Sequence, residues 1–288
     1  MFLRSTTSKV IAASVGLASA LSVYAVINRR ATTTSGTSTS GTMTAGHAFQ
    51  TQFAVPLSCD GCIKSVSDSL YKLKGVNKVE GNLKDQLISI EGSAAPSSIV
   101  EAIQATGRDA ILRGTGASNS AAVSILETFT DDKTPPGDDG TEREVRGLAR
   151  MVQVSPQRTL VDLTIRGVAP GTYRATIREF GDLKDGAGST GPVWATSRGD
   201  LGSVEVGEDG RGSAFTDHGF EIWETIGHAM VLTKQSEEEG KVLQNDDNTV
   251  VGVIARSAGM WDNDKTVCSC TGKTLWEERK DEVKKGML

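Results

Sequence analysis

Eight short segments alternate apolar with polar residues: Ala122–Phe129, Val145–Val154, Thr159–Ile165, Thr172–Ile177, Gly202–Val206, Gly212–Thr216, Ala229–Leu232 and Thr249–Ile254. Gly, Asp, Asn and Pro separate them. A period of two over four to ten residues buries one face of a strand, and turn residues at this spacing send the chain back on itself. The pattern predicts an all-β Greek-key sandwich or barrel over residues 120–256. Asp131–Gly140 and Glu237–Asn248 are acidic stretches that read as solvated loops. The hydrophobic fraction of 38% over 288 residues suffices for two modest cores. A net charge of -5, with no basic patch interleaved with aromatics, argues against a nucleic-acid partner.

The texture before residue 115 differs. Phe49–Val55 reads as a strand, Pro56–Gly61 as a turn, and Cys62, Ile63, Val66, Leu70 and Leu73 recur at helical spacing. Strands near Val76–Leu83 and Gln86–Glu91 follow. A second helix begins at Pro96, carries Ile99, Val100 and Ile103 on one face, and stops at Gly107; a last strand spans Asp109–Leu112. This βαββαβ order predicts an α+β ferredoxin-like sandwich over 47–114.

Cys59-Asp60-Gly61-Cys62 falls at the mouth of the first helix, where unpaired N–H groups and the helix dipole favour thiolate. Three readings compete: a soft-metal site, a thioredoxin-like redox pair, and a pair of buried thiols. The redox pair expects a larger βαβ context, whereas this helix gives way to Gly75 and two short strands, so the metal site is favoured. His47, His218 and His228 stand at no zinc-finger spacing from a cysteine pair. In a ferredoxin-like topology the Thr106–Asp109 turn can lie beside the cysteines. Arg108 is then either a counter-charge for two thiolates around a monovalent cation or a solvated loop residue.

Gly114–Ser120 reads as a flexible joint, with 115–119 as the linker. The tail, 257–288, leaves the strand pattern and carries Cys268-Ser269-Cys270. A disulfide across so short a loop is strained and easily reduced, so this pair suits exchange or metal binding. Trp276-Glu277-Glu278-Arg279-Lys280 reads as a mobile or weakly helical terminus. Gly272-Lys273-Thr274 fails as a phosphate loop because Val267 stands where the first glycine belongs, and Arg198-Gly199-Asp200 is accounted for by a turn. Residues 1–46 have no acidic residue, an apolar run Val10–Ile27 and a Thr/Ser/Gly tract. They read as a leader outside the fold: a mitochondrial targeting segment first, with a membrane anchor or a secretory signal as alternatives.

The Cys59–Cys62 loop in its βαββαβ setting resembles the heavy-metal-associated domain of copper chaperones. Gly167-Val168-Ala169-Pro170-Gly171, Glu179-Phe180-Gly181-Asp182, Gly199-Asp200-Leu201-Gly202 and Gly252-Val253-Ile254 resemble copper/zinc superoxide dismutase, in that family's order. With the tail stretch Val267–Arg279, the chain resembles the fungal form of the copper chaperones for superoxide dismutase.

The resemblance implies Cu(I) as cargo on Cys59 and Cys62, with Cys268 and Cys270 as further ligands and as the reactive thiols. The implied partner is Cu/Zn superoxide dismutase, held as a heterodimer through Ile226, Gly227, Val253, Ile254 and Ala255, with membrane contact only through the leader. The implied location is cytoplasm and mitochondrial intermembrane space. Thr176, Arg178 and Thr233 replace dismutase copper histidines, Asp200 matches a zinc ligand without its histidine partners, and Val251 replaces a disulfide cysteine. These departures disfavour the rival expectation, a dismutase enzyme with an appended metal domain; a copper buffer or sensor is the other rival. Leu57 stands where such chaperones carry methionine, and is read as a packing residue.

Overall fold

A computed structural model of the chain describes residues 47–130, 144–236, 242–260, 262 and 272–284. Cys268, Cys270 and the leader lie outside them. The first domain runs β1 (Phe49–Ala54), α1 (Asp60–Leu70), β2 (Val76–Asn82), β3 (Leu87–Gly92), α2 (Pro96–Gln104) and β4 (Ile111–Thr115). Its antiparallel sheet has the order β2-β3-β1-β4, the expected ferredoxin-like arrangement. Phe53 pairs with Ile88 in the β1–β3 register, and Phe53, Val66, Leu70, Ile88, Ile90, Ile99 and Ile103 form the core between sheet and helices. Ser69 Oγ donates to the Ala102 carbonyl at 2.9 Å, tying α1 to α2. The helix stop at Gly107 is confirmed by its φ of +78°, a region that glycine enters without a Cβ penalty.

The second domain comprises β5 (Ala121–Thr128), β6 (Val145–Ser155), β7 (Arg158–Arg166), β8 (Gly171–Arg178), β9 (Asp200–Val206), β10 (Arg211–His218), a four-residue helix α3 (Ile222–Thr225), β11 (Ala229–Thr233), β12 (Val250–Val253) and β13 (Ala255–Ser257). All eight expected strands are present. They follow one another in the sheet as β12-β11-β8-β9-β10-β7-β6-β5, and β12 pairs with β5 to close a barrel, leaving no open edge among the eight. Inward residues Leu126, Met151, Val161, Leu163, Tyr173, Ile177, Met230 and Leu232 fill it. The short β13, which the sequence pattern does not announce, continues past Ile254 along β5.

The joint is held more firmly than its composition suggests. Gly116 N–H donates to the Gln50 carbonyl at 2.8 Å, its own carbonyl accepts from Met260 N–H at 2.8 Å, and Thr115 N–H donates to Ala258 at 3.2 Å. The domains also meet through side chains. Asp162 of β7 accepts from Ser97 Oγ at 2.6 Å and from Ser97 N–H at 2.8 Å, at the first turn of α2, and lies 3.4 Å from Arg150. The described part of the tail takes the helical alternative. Residues Leu275–Lys284 form α4, whose Arg279 reaches Asp109 at 3.3 Å and 3.4 Å. Thr274 starts α4 by a reciprocal cap with Glu277: its Oγ1 and N–H both donate to the carboxylate at 2.8 Å.

Candidate metal centre

Cys59 is the N-cap of α1, in extended backbone geometry, and Cys62 occupies the first turn, with its N–H donating to the Cys59 carbonyl at 2.9 Å. The two sulfurs are 3.5 Å apart; Cys59 is exposed and Cys62 buried. The Cys62 thiol is drawn down to about 6. Ser58 is the main cause, through its hydroxyl, 3.3 Å away, and through its backbone; Arg108 and Cys59 add to this, while burial opposes it. Arg108 thus lies on the thiol side of the loop, where its charge favours the Cys62 thiolate. Its guanidinium also donates to the Thr106 carbonyl at 3.0 Å, which fixes the arm that reaches the sulfur.

Thiolates are soft donors that select soft monovalent metal, and two of them leave a metal open to a third. Metal–sulfur bonds of roughly 2.3 Å require a near-linear pair to stand about 4.6 Å apart, so the sulfurs must part by about 1 Å. Cys59, exposed and outside the helix proper, can supply that by rotating its side chain. Beneath the loop Leu57 is 4% exposed and belongs to the domain core with Val55, Cys62 and Val66, as its packing role requires.

The sequence pattern missed Ser58 as a thiol partner, although a hydroxyl four residues before Cys62 is visible in it. Replacing Ser58 with alanine should raise the Cys62 pKa toward the ordinary thiol range and weaken metal binding by roughly tenfold. Thiol titration by ultraviolet absorbance and a competitive metal assay check the two effects.

Where a dismutase carries copper histidines, the barrel holds a different network. Arg178, 5% exposed, donates through Nε to the Gly191 carbonyl at 3.0 Å, and again through Nη2. Burial, followed by the nearby Arg174, lowers its pKa to about 10. Thr233 and Thr249 share a hydrogen bond of 2.8 Å, and Thr176 is buried. Asp200 pairs with Arg174 at 3.0 Å and accepts from Gly202 N–H at 3.0 Å; these contacts outweigh its burial and hold its carboxyl below the usual range. His218 Nε2 bonds to Thr216 Oγ1 at 2.8 Å and its ring stacks on Phe220, while His228 Nδ1 faces the Arg178 carbonyl at 2.8 Å. Among the described residues no three His, Cys, Asp or Glu side chains converge as a metal-holding group.

Residues 52–109 match the Heavy-metal-associated domain family, and residues 145–254 match the Copper/zinc superoxide dismutase (SODC) family. The Superoxide dismutase 1 copper chaperone of Debaryomyces hansenii is 42% identical over 258 residues, 83% of this chain and 98% of that protein. The chain belongs to the family of copper chaperones for superoxide dismutase. The chaperone of the same name from Saccharomyces cerevisiae is 39% identical, covering 81% of this chain and 95% of its own length. The human Copper chaperone for superoxide dismutase is 33% identical over 79% of this chain and 88% of its own. In this chaperone Gly116, bonded to Gln50 and Met260, lies in the stretch between the two matched regions.

Proposed function

We propose that the chain carries Cu(I) on Cys59 and Cys62, docks a Cu/Zn superoxide dismutase subunit through its barrel, and passes the metal on through Cys268 and Cys270. The observation that carries this reading is the paired thiol site, with one thiol held near 6, in a chain whose dismutase-like barrel has Thr176, Arg178 and Thr233 in place of imidazoles. Two ligands suit a metal that must leave again: an incoming thiolate adds to the open copper before Cys59 or Cys62 departs.

Docking falls to the face built around Gly181 and Gly227. A Cβ on Gly181 would meet the Gly227 carbonyl at 1.9 Å, so backbone approaches backbone there and the face is low. Phe180, Trp223 and Val253 stand exposed on the adjoining stretches, Gly227 and Ala255 are exposed with them, and Ile254 is buried beneath. Such a face suits a subunit that dimerises through an isologous patch, because a look-alike barrel can replace one partner. Exposed aromatics at its centre supply the anchoring area.

The tail acts in two oxidation states. As a dithiol it takes copper from Cys59 and Cys62 and yields it to the client. Once a two-electron oxidant such as dioxygen has converted it to a disulfide, it is attacked by a client thiolate, which forms a mixed disulfide and releases one tail thiolate. A second client thiolate then attacks the mixed bond, so the client gains a disulfide and both electrons end on Cys268 and Cys270. The leader is proposed to divide the chain between cytoplasm and the mitochondrial intermembrane space.

Mixing the copper-loaded chain with metal-free, reduced dismutase in the presence of dioxygen should yield active client with its disulfide formed. A chain with Cys268→Ser and Cys270→Ser should still co-elute with the client while activation falls to background. Retained activation removes the tail from the mechanism, and a client left inactive by the unaltered chain supports a copper buffer instead.

A further inference from the structure

A cleft of about 660 Å³ lies where the first domain, the barrel and the tail helix meet. One wall is apolar, from Val100 of α2, Leu112 of β4 and Leu148 of β6. The rest is cationic: Arg146, Arg150, Arg166, Arg211 and Arg279 line the cleft, against two carboxylates, Glu101 and Glu205. Three of the arginines already have acidic partners. Arg150 lies 3.4 Å from Asp162, Arg146 2.9 Å from Glu144, and Arg279 3.3 Å from Asp109.

Arg166 and Arg211 are different. They are register partners across β7 and β10, directly opposite in the ladder. Like charges in that position repel. Among the described residues neither guanidinium has a carboxylate within ion-pair distance; Glu205 instead accepts from Thr172 Oγ1 at 2.9 Å. The field between them is felt: burial first, then Arg211, and also Arg279, lower the Arg166 pKa, with Glu144 opposing from a distance. Two guanidinium forks without an acidic partner, beside three paired ones around one partly enclosed volume, can grip an oxyanion in bidentate fashion. The volume is that of a small-molecule site.

We propose that this cleft binds a small, multiply charged oxyanion, phosphate- or carboxylate-bearing, between Arg166 and Arg211 of the barrel and Arg279 of the tail helix. The anion relieves the Arg166–Arg211 repulsion and bridges α4 to the barrel, so its binding fastens the tail. The site is separate from the Cys59–Cys62 loop and does not depend on copper. Its ligand tunes how freely the tail leaves the body of the protein.

The test uses the full-length chain, without copper, titrated with inorganic tripolyphosphate and, separately, with citrate. Calorimetry should show one-to-one binding of at least one of them. In the double variant Arg166→Gln, Arg211→Gln that affinity should fall at least tenfold, whereas Arg166→Lys, Arg211→Lys, which keeps the charge, should retain part of it. Hydrogen exchange over residues 275–284 should slow with the bound anion in the unaltered chain only. Tripolyphosphate binding alone assigns the site to phosphates and citrate alone to carboxylates. Failure of both, equal binding by the glutamine variant, or the same protection from sodium chloride at matched ionic strength overturns the proposal. None of these outcomes touches dismutase activation, which is read in a separate assay.

Discussion

Replacing Cys62 with serine should lower Cu(I) affinity at the first domain by well over a hundredfold. Even partners that only orient a ligand are worth roughly 10–100-fold, and here the ligand itself is lost. A serine hydroxyl is a hard donor that stays protonated at neutral pH, so Cys59 is left as a single soft ligand. The same chemistry sets the pH response. The Cys62 pKa is depressed, so the native state holds the thiolate above about 6, and stability gained from that ionisation is lost as pH falls through this value. Copper retention should follow the same sign, falling as the pH drops and protons compete for sulfur. A competitive Cu(I) chelator titration between pH 5 and 8 reads the effect. A Cys62 thiolate midpoint near the ordinary thiol pKa of about 8.5, read by ultraviolet absorbance on the metal-free Cys59→Ser chain, would contradict the assigned role of Ser58 and Arg108.

The second large effect concerns Asp162→Ala, which should cost about 3–5 kcal/mol, because it strands the guanidinium of Arg150 in a buried position. Asp162 is 1% exposed, and burial raises its pKa against the opposing pull of Arg150 and Ser97. Burial likewise lowers the pKa of Arg150. Burial therefore works against charge on both partners, and their mutual contact, with the two bonds to Ser97, offsets it. For a chain of this size the melting temperature should drop by about 10 °C. Replacing both partners, as Arg150→Met with Asp162→Leu, should restore most of the stability, since buried pairs are often neutral against apolar residues. The double variant still lacks the anchor for α2. Its first domain should tumble more independently in NMR relaxation while its melting temperature is near normal. A double variant whose first domain stays rigid would show that the joint alone fixes it.

The barrel was legible because its strands obey a period of two, and the ferredoxin-like domain because Gly75, Pro96 and Gly107 punctuate it. The contact between them was not. On β7, Val161 and Leu163 point into the barrel, so Asp162 reads as an ordinary solvent-facing polar residue; only the fold reveals that α2 covers it. Helix α4 was obscure for a related reason: it is charged nearly all round, and its anchor, Asp109, lies 170 residues away in sequence. At the metal centre, Cys59 and Cys62 could be named from spacing alone, and Arg108 as one of two possibilities. The hydroxyl of Ser58 needed the turn's geometry. Cys268 and Cys270 rest on spacing and resemblance, since they lie outside the described residues.

Gly116 has a consequence for how the chain can be dissected. Its N–H reaches the inner strand β1 and its carbonyl, with the N–H of Thr115 at the end of the edge strand β4, holds the segment after β13, so the root of the tail is sewn to the first domain's sheet. Excising residues 47–114 therefore inflicts two injuries at once: the proposed copper berth is lost, and the tail loses its mooring at Asp109 and the support that Gln50 gives to Gly116. Any shortfall in such a truncated chain reports the sum of the two, whereas Cys59→Ser with Cys62→Ser removes the berth and leaves the rigging whole.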